Sequence, residues 1–434
     1  MKRTISLMLA CSLAAFTTQA AVAAEDAYPR IGAYPISGPH DYWDPAYQKQ
    51  LAKTAVSVIN TYPGWGSGKM SLDTLAKNVK AINPNTKLLV YVIPESLSSP
   101  ASSAWAELEL KINSEHWWLY TGSAQVLSDF GHSMFVLNTS NQARKDKSGL
   151  SFGPWFANYV VGKFASPNPT LDGIYTDNVF WKPRRDGDWN GDGKIDSQND
   201  PTVQGWYRQG YRDYADALKK AMPGKLIMAN VADWGQSAAV LTQYQGVFNG
   251  GVLEGIVGES WSVENSGWSN MMASYRKTMA ALAAPKLGIF QQYGNLNDYQ
   301  AMRYGLASCL MDNGYYSFND LAHQNYRVPW FDEFDAKLGA AVSQPATTAW
   351  QNGVYRRDFA NGIALVNPKG NGAKEVTLEA DFVRIKGTQD TGVNNGQTVR
   401  KLTLKDRDGI ILMRAAPIKR PSAPAAVTID SSGG

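Results

Sequence analysis

The chain has 434 residues, 42 Lys and Arg against 38 Asp and Glu, a formal net charge of +4, and is rich in aromatics, with 14 Trp and 21 Tyr. Its basic residues are scattered, with no cluster longer than Lys182-Pro183-Arg184-Arg185, which excludes the electrostatic footprint of a nucleic-acid binder. Of two cysteines, Cys11 falls in the N-terminal leader, so Cys309 has no intrachain partner and a disulfide scaffold is excluded.

Residues 1–24 read as a secretory signal: Lys2 and Arg3, an apolar run from Ile5 to Ala15, and small residues ending Ala21-Val22-Ala23-Ala24. Cys11 after Met8-Leu9-Ala10 raises a lipoprotein alternative, which the short apolar stretch before it and its continuation beyond it disfavour. Cleavage after Ala23 or Ala24 leaves 40 basic and 38 acidic residues. No later run reaches the roughly 18 apolar residues that span a bilayer. A soluble protein, secreted or periplasmic, is expected.

From residue 25 to 344, strand-like runs alternate with helical patterns, the mark of βα units and a parallel sheet. The runs are Ile31 to Tyr34, Val56 to Asn60, Leu88 to Ile93, Gly173 to Asp177, Leu226 to Asn230, Val252 to Glu254, Leu287 to Gln291 and Tyr315 to Phe318. Eight strands close a (β/α)8 TIM barrel. Leu72, Leu75, Val79 and Ile82 share one helical face behind Ser71, a candidate N-cap. Trp206, Tyr207, Tyr211, Tyr214 and Leu218 do the same behind Pro201, which suits a first turn. Met134 to Leu137, after Trp117-Trp118-Leu119-Tyr120, reads as a hairpin inserted between the third strand and its helix, since counting it would give nine barrel strands. Cys309 lies in the helical pattern of Tyr304, Leu306, Ala307 and Leu310, and is expected to be a core thiol and not a nucleophile.

Residues 345–414 turn to short alternating segments separated by Gly and Asn. Val354 to Phe359, Gly362 to Val366, Val376 to Leu378, Val399 to Leu404 and Gly409 to Met413 predict a small antiparallel β-sandwich. From 415 to 434 Pro and Ala dominate without apolar repeat, and a disordered tail is expected.

Parallel barrels carry their chemistry at the C-terminal ends of the strands. Asp177 ends the fourth run and Glu254 the sixth. Glycosidic cleavage needs one carboxyl to protonate the leaving oxygen and a second to attack the sugar or activate water. Asp177 is the candidate nucleophile, with a helix N-cap or a salt-bridge partner as the alternative. Glu254 is the candidate acid, preferred to Glu259 in Gly258-Glu259-Ser260-Trp261 because a strand end fixes a side chain better than a loop. Either glutamate could instead pair with a nearby Arg.

Other strand ends supply a ring of donors and acceptors suited to a hydroxyl-rich ligand: Tyr34, Asn60, Tyr62, Glu95, Asn230, Asp233, Gln291, Gln292, Tyr293, Asn319 and Asp320. Trp65, Trp181, Trp234 and Trp261 follow such ends and are candidate platforms for sugar faces, although any one of them could be core. His40, His116, His132 and His323 show neither a paired metal spacing nor a Ser-His-Asp context, which disfavours zinc and serine-hydrolase chemistry. His40, after the first strand, could touch substrate or simply be solvated.

The segment 186–200 carries a second pattern. Asp188, Asn190 and Asp192 stand at positions one, three and five of a calcium loop, Gly193 at six, the Lys194 carbonyl at seven and Asp196 at nine. Position twelve is Asn199 in place of Glu, followed by Asp200. A structural Ca2+ is expected there, ordering the rim of the site, with an acidic metal-free turn as the alternative.

Asp-Gly-Ile-Tyr-Thr-Asp-Asn at 172–178, Asn-Gly-Gly-Val-Leu-Glu at 249–254, Tyr-Gly-Leu-Ala-Ser at 304–308 and Gly-Tyr-Tyr-Ser-Phe at 314–318 resemble glycoside hydrolases of the α-galactosidase superfamily, most nearly hypothetical glycosyl hydrolase family 15. Endo-α-polygalactosaminidases are a more distant match. Tyr355 to Pro368 resembles the start of the β-domain behind many such barrels. The resemblance covers about residues 28–414. It implies a (β/α)8 barrel with its nucleophilic Asp after the fourth strand, at Asp177, and an acid on a later strand, at Glu254; it implies neither the calcium loop nor a particular sugar. The expectation is an exported glycoside hydrolase cleaving a polysaccharide or oligosaccharide, α-linked by resemblance. The rival is a non-catalytic carbohydrate-binding protein on the same scaffold. A lyase or esterase would need a neutral base or a nucleophile elbow, and the sequence has neither.

Overall fold

The structure is a computed structural model that describes residues 27–34, 42–60, 70–131, 133–322 and 327–415. The leader, most of the tail, His40, His132, His323, Tyr62 and Trp65 lie outside the described residues.

The first three barrel strands are β1 (Gly32–Ala33), β2 (Val56–Ile59) and β3 (Lys87–Val92), separated by α1 (Pro45–Leu51) and α2 (Leu72–Ile82). Asp44 and Ser71 cap these helices, each side chain accepting from a first-turn N–H. Leu72, Leu75, Ala76 and Val79 form the buried face of α2, whereas Ile82 at its end is 53% exposed, so the apolar stripe stops one turn earlier than its spacing predicts.

An insertion follows, made of β4 (Ser96–Ser98), α3 (Ala106–Glu115), β5 (Tyr120–Thr121), β6 (Ala124–Gln125) and β7 (Met134–Val136). β7 pairs with β4 and β5 with β6, all antiparallel and outside the barrel, where the strand count had placed this run. The barrel resumes with α4 (Phe152–Val160), β8 (Gly173–Thr176), α5 (Pro201–Ala221), β9 (Leu226–Asn230), α6 (Ala238–Gln243), β10 (Gly250–Val257), α7 (Trp268–Ala281), β11 (Leu287–Gly294), α8 (Tyr299–Leu310) and β12 (Tyr315–Asp320). Strand order is β1-β2-β3-β8-β9-β10-β11-β12, every pair parallel, and a parallel bridge from Ile31 to Tyr316 joins the two edges.

Two apolar clusters explain why these strands read as unbroken hydrophobic runs. Val56, Val58, Leu89, Tyr91, Tyr175, Met228, Val252 and Ile289 fill the barrel interior. Their neighbours one residue away, among them Ile59, Val90, Ile174, Leu253 and Phe290, pack outward against the helices. The period of two therefore decides which strand-end residues look into the mouth. Cys309 is a buried free thiol on α8 with Tyr275 Oη 3.8 Å away, and burial pushes its pKa up to about 12, as a core thiol requires.

Behind the barrel come β13 (Tyr355–Phe359), β14 (Gly362–Asn367), β15 (Lys374–Arg384), β16 (Thr398–Leu404) and β17 (Asp408–Arg414), one antiparallel sheet in the order β13-β14-β17-β15-β16. β15 changes register between Thr377 and Phe382, and pairs with β17 through its last residues. Ile363, Leu365, Leu378, Phe382, Leu402 and Leu412 make a core on one face, while Ala364, Val366 and Ile411 join the barrel's outer core on the other. Arg303 of α8, almost fully buried, binds Asp390 at 2.6 Å and Asp408 at 3.3 Å and ties sheet to barrel.

Candidate active site

The alternation within the barrel carries straight into the site. Asp177 stands two residues beyond the interior Tyr175, Glu254 two beyond Val252, Asn230 two beyond Met228, and Gln291 two beyond Ile289. Each polar group is thus the next inward-facing residue above a filled apolar layer.

Asp177 is buried and fully hydrogen-bonded. Its Oδ1 accepts from Asn230 Nδ2 at 2.9 Å, from the Asn178 backbone N–H at 2.9 Å and from Tyr34 Oη at 3.5 Å, and its Oδ2 accepts from Tyr91 Oη. Tyr175 Oη donates to Tyr34 Oη at 3.1 Å. Glu254 Oε2 accepts from the same Asn230 Nδ2 at 2.7 Å, and its Oε1 from Tyr293 Oη at 2.9 Å. Two oxygens bound to one nitrogen at these lengths can be no more than about 5.6 Å apart.

Burial pushes both carboxyls up. Four donors oppose this at Asp177 and favour its anion. Glu254 is pushed up to about 7, first by burial and then by the charge of Asp177, with only Tyr293 and Asn230 opposing. Asp177 thus has four donors favouring its anion and Glu254 two.

Glu254 is fixed from behind. The next residue, Gly255, has φ +55°, and a Cβ there would meet the Trp261 ring at 2.1 Å. Its N–H donates to Gln291 Oε1, and its carbonyl accepts from Ser262 Oγ. Gln291 Nε2 reaches Asn319 Oδ1 at 2.7 Å, so Gln291 supports the strand end instead of facing a ligand. Glu259 sits in the following turn, held by bonds to its backbone, and it is Glu254 that meets Asp177.

A cavity of about 630 Å³ opens on the Glu254 side, walled by Asn178, Trp181, Asn230, Asp233, Glu254 and Trp261. Trp261 is 58% exposed and offers a free face. Trp234 does not: it is wholly buried, stacked on Tyr244, with Nε1 bound to the Val179 carbonyl, which corrects its reading as a platform. Asp233 Oδ2 accepts from the Trp181 N–H at 3.4 Å while Oδ1 is enclosed without a partner, and burial pushes its pKa up to about 7. Asn60 and Asp320 are buried at the ends of β2 and β12, where Asn60 N–H donates to Tyr42 Oη and Asp320 Oδ1 takes the Ala322 N–H. Glu95 is buried beside the site, pushed up by burial. Sequence reasoning missed Tyr91 and Tyr175. Their signal was a phenol at an inward position of a barrel strand, where a buried hydroxyl needs a partner.

At 186–200, Asp188 accepts the N–H groups of Gly191, Asp192 and Gly193, Asn190 Oδ1 that of Asp192, Asp192 Oδ1 that of Lys194, and Asp196 Oδ2 that of Trp189. Gly193 has φ +84°, the sharp turn expected at position six. Asn199 and Asp200 stand apart from this ring: Asn199 Oδ1 takes Lys182 Nζ, and Asp200 caps α5 through Thr202 N–H. Among the described residues no three His, Cys, Asp or Glu side chains converge as a metal site.

The model of hypothetical glycosyl hydrolase family 15 matches residues 80–363, which include Asp177 and Glu254. The chain belongs to that family. Membership makes this family 15 protein a glycosidase, an enzyme that cleaves glycosidic bonds of a carbohydrate substrate. No curated protein matches it in sequence. A GH27 β-L-arabinopyranosidase from Geobacillus stearothermophilus shares the fold at 8% identity, with 89% of this chain and 95% of that one covered and a TM-score of 0.50. An Anoxybacillus α-amylase is 10% identical over 91% of this chain and 99% of its own, with a TM-score of 0.49. A GH36 α-galactosidase from Geobacillus stearothermophilus is 12% identical over 90% of this chain and 56% of its own, with a TM-score of 0.42. Among the described residues of the family 15 chain no helix is long and apolar enough to cross a membrane.

Proposed function

We propose that this chain is an exported, retaining glycosidase of α-linked polysaccharide or oligosaccharide, with Asp177 as nucleophile and Glu254 as general acid and base. One observation carries the reading: a single amide, Asn230 Nδ2, bonded to both carboxylates, which holds their facing oxygens within about 5.6 Å. Retaining enzymes keep their carboxyls about 5 to 5.5 Å apart, whereas inverting ones need about 6.5 to 9.5 Å to admit a water.

In the first step a carboxylate oxygen of Asp177 bonds to the anomeric carbon as the bond to the leaving oxygen breaks, and Glu254 gives its proton to that oxygen. In the second, Glu254 takes a proton from water, the water oxygen bonds to the anomeric carbon, and the ester to Asp177 breaks. Tyr91, Tyr34 and Asn178 donate to the nucleophile and favour its anion against burial; Tyr293 and Asn230 orient the acid. Trp261 and Trp181, on the Glu254 side of the cavity, would receive the leaving group.

The α-linkage rests on the superfamily resemblance, and export on the leader of residues 1–24. For the loop at 186–200 we propose a structural Ca2+ held by oxygens of Asp188, Asn190, Asp192 and Asp196 and by the Lys194 carbonyl. Amide and carbonyl oxygens make up the set alongside the carboxylates, as suits a hard cation.

The test is reducing-end release from a panel of bacterial and plant polysaccharides by the wild type, Asp177→Asn and Glu254→Gln, with folding and carbohydrate binding checked for all three. Loss of cleavage in both variants, binding retained, is the expected result. A folded wild type that binds a glycan and cleaves none would transfer the assignment to a carbohydrate-binding protein. The anomer first released, read by proton NMR, is expected to keep the substrate's configuration.

A further inference from the structure

Asn178, directly after Asp177, has φ +57°, in the left-handed region that non-glycine residues seldom adopt and Asn tolerates best. Its N–H donates to Asp177 Oδ1 at 2.9 Å. On the other side of the same residue two phenols converge: Tyr207 Oη donates to the Asn178 carbonyl at 3.3 Å and Tyr211 Oη at 3.1 Å, both bonds buried. The tyrosines are one helical turn apart on α5, with rings 5.0 Å apart edge to face. Trp189 of the 186–200 loop meets Tyr207 edge-on at 5.9 Å and 90°.

A strand leading into a loop has no ladder to hold its last peptide. Here both lone pairs of the Asn178 carbonyl are occupied, which fixes the peptide that follows Asn178; its N–H belongs to the peptide before it, and the two planes are linked through the φ and ψ of Asn178 alone. We infer that Tyr207 and Tyr211 are positioning residues for the nucleophile, acting through the left-handed Asn178 and braced by Trp189. Neither tyrosine touches Asp177, and burial raises the pKa of both, so they remain donors across the working range. The inference rests on Asp177 being the nucleophile.

The experiment uses the full chain and needs no substrate. Protein carboxyl-labelled at aspartate and glutamate and carrying Glu254→Gln, which removes the coupled partner, is titrated by carbon-13 NMR, with the Asp177 signal assigned by its loss in Asp177→Asn. The groups facing Asp177 are then the phenols of Tyr34, Tyr91 and Tyr175, of which burial raises Tyr34 and Tyr175 well above their ordinary range, and the buried Glu95 carboxyl, raised by burial and further by the charge of Asp177, whose own signal is followed in the same titration as that of Glu95. Tyr207→Phe with Tyr211→Phe keeps both rings and removes both hydroxyls. The expected result is an Asp177 midpoint raised by about one pH unit, because an N–H that favours the anion is released. In the otherwise wild-type chain, on the polysaccharide that the panel shows it cleaves, kcat is expected to fall about 10²-fold with KM changed less than about twofold.

A folded double variant with an unmoved Asp177 midpoint overturns the inference. Should that variant not fold, Asn178→Gly and Asn178→Ala decide, since glycine takes a positive φ freely and alanine does not. A midpoint at least half a unit higher in the alanine protein supports the inference, and equal midpoints overturn it. The nucleophile assignment is judged separately. If Asp177→Asn still cleaves at the wild-type rate, that assignment fails; if it is inactive while the tyrosine variant leaves the midpoint in place, only the positioning role fails.

Discussion

Asp177 and Glu254, on strands separated by β9, accept hydrogen bonds from one and the same nitrogen, Asn230 Nδ2. A primary amide has two hydrogens, and here each serves one carboxylate, so the pair is spaced by the width of an NH2 group. Replacing Asn230 by Ala removes the spacer and leaves both carboxyls short of a donor. The expected loss in kcat is on the order of 10²- to 10³-fold, as when a preorganised donor is removed, with about 1–3 kcal/mol of stability. Steady-state kinetics and urea unfolding check this; a folded Asn230→Ala protein with wild-type kcat would sink it.

In the proposed mechanism Glu254 acts with a proton on it and Asp177 without one. With Glu254 pushed up to about 7, activity is expected to decline as pH rises through that value. The negative charge of Asp177 is the second cause of that elevation, after burial, so Asp177→Asn should lower the Glu254 midpoint. Carboxyl NMR of labelled glutamate reads this directly. A midpoint that stays put would mean that burial alone sets the proton affinity.

Asp233 allows a stability test apart from catalysis. Its pKa is raised from 3.8 to about 7 by burial, so the folded state holds a proton there that the unfolded chain has released between those values. Stability from this group is therefore full below about pH 4, falls as pH rises to about 7, and is level above. Asp233→Asn, neutral throughout, should melt progressively higher than the wild type as pH goes from 4 to 8, by the equivalent of on the order of 4 kcal/mol at the top. A difference in melting temperature that does not grow with pH would contradict this.

What the sequence disclosed follows from what the period of two encodes. Strand after strand, an apolar inward residue is followed two positions on by a polar one, and this brings Asp177, Asn230 and Glu254 together at the mouth of the barrel. The shared amide itself was not legible, because Asn230 reads as one of many strand-end polar residues until its distances to both carboxyls are known. Nor were Tyr91 and Tyr175: aromatic residues inside strands usually mean packing, and only the third dimension shows their hydroxyls in the chain of bonds that ends on Asp177. Trp234 failed the other way. It follows a strand end as a sugar platform would, yet the helical turn of residues 234–236 folds it inward onto Tyr244 and Phe248.

The loop at 186–200 leads to a last prediction, and its surroundings fix the readout. Asp188 gathers three backbone N–H groups, and Asp192 and Asp196 one each, so their oxygens already share one small turn. Among the described residues no three carboxylates converge as a metal site, so a cation would have to draw these oxygens together as it neutralises them. With Asn199 turned to Lys182 and no glutamate at position twelve, binding is expected to be weak for such a loop, about 10⁻⁵ to 10⁻³ M. Calorimetric titration of chelator-stripped protein with CaCl2 measures it. Saturating calcium should raise the melting temperature by the linkage of binding to folding, and Asp188→Ala should abolish both heat and shift. Trp189 lies within the loop, buried, with its indole Nε1 bound to the Arg185 carbonyl and its ring edge on Tyr207, so calcium should also change tryptophan fluorescence. Calorimetry without heat, together with an unmoved melting temperature, would leave an acidic turn held by its own backbone, whose part in the enzyme is to brace Tyr207 with Trp189 and nothing more.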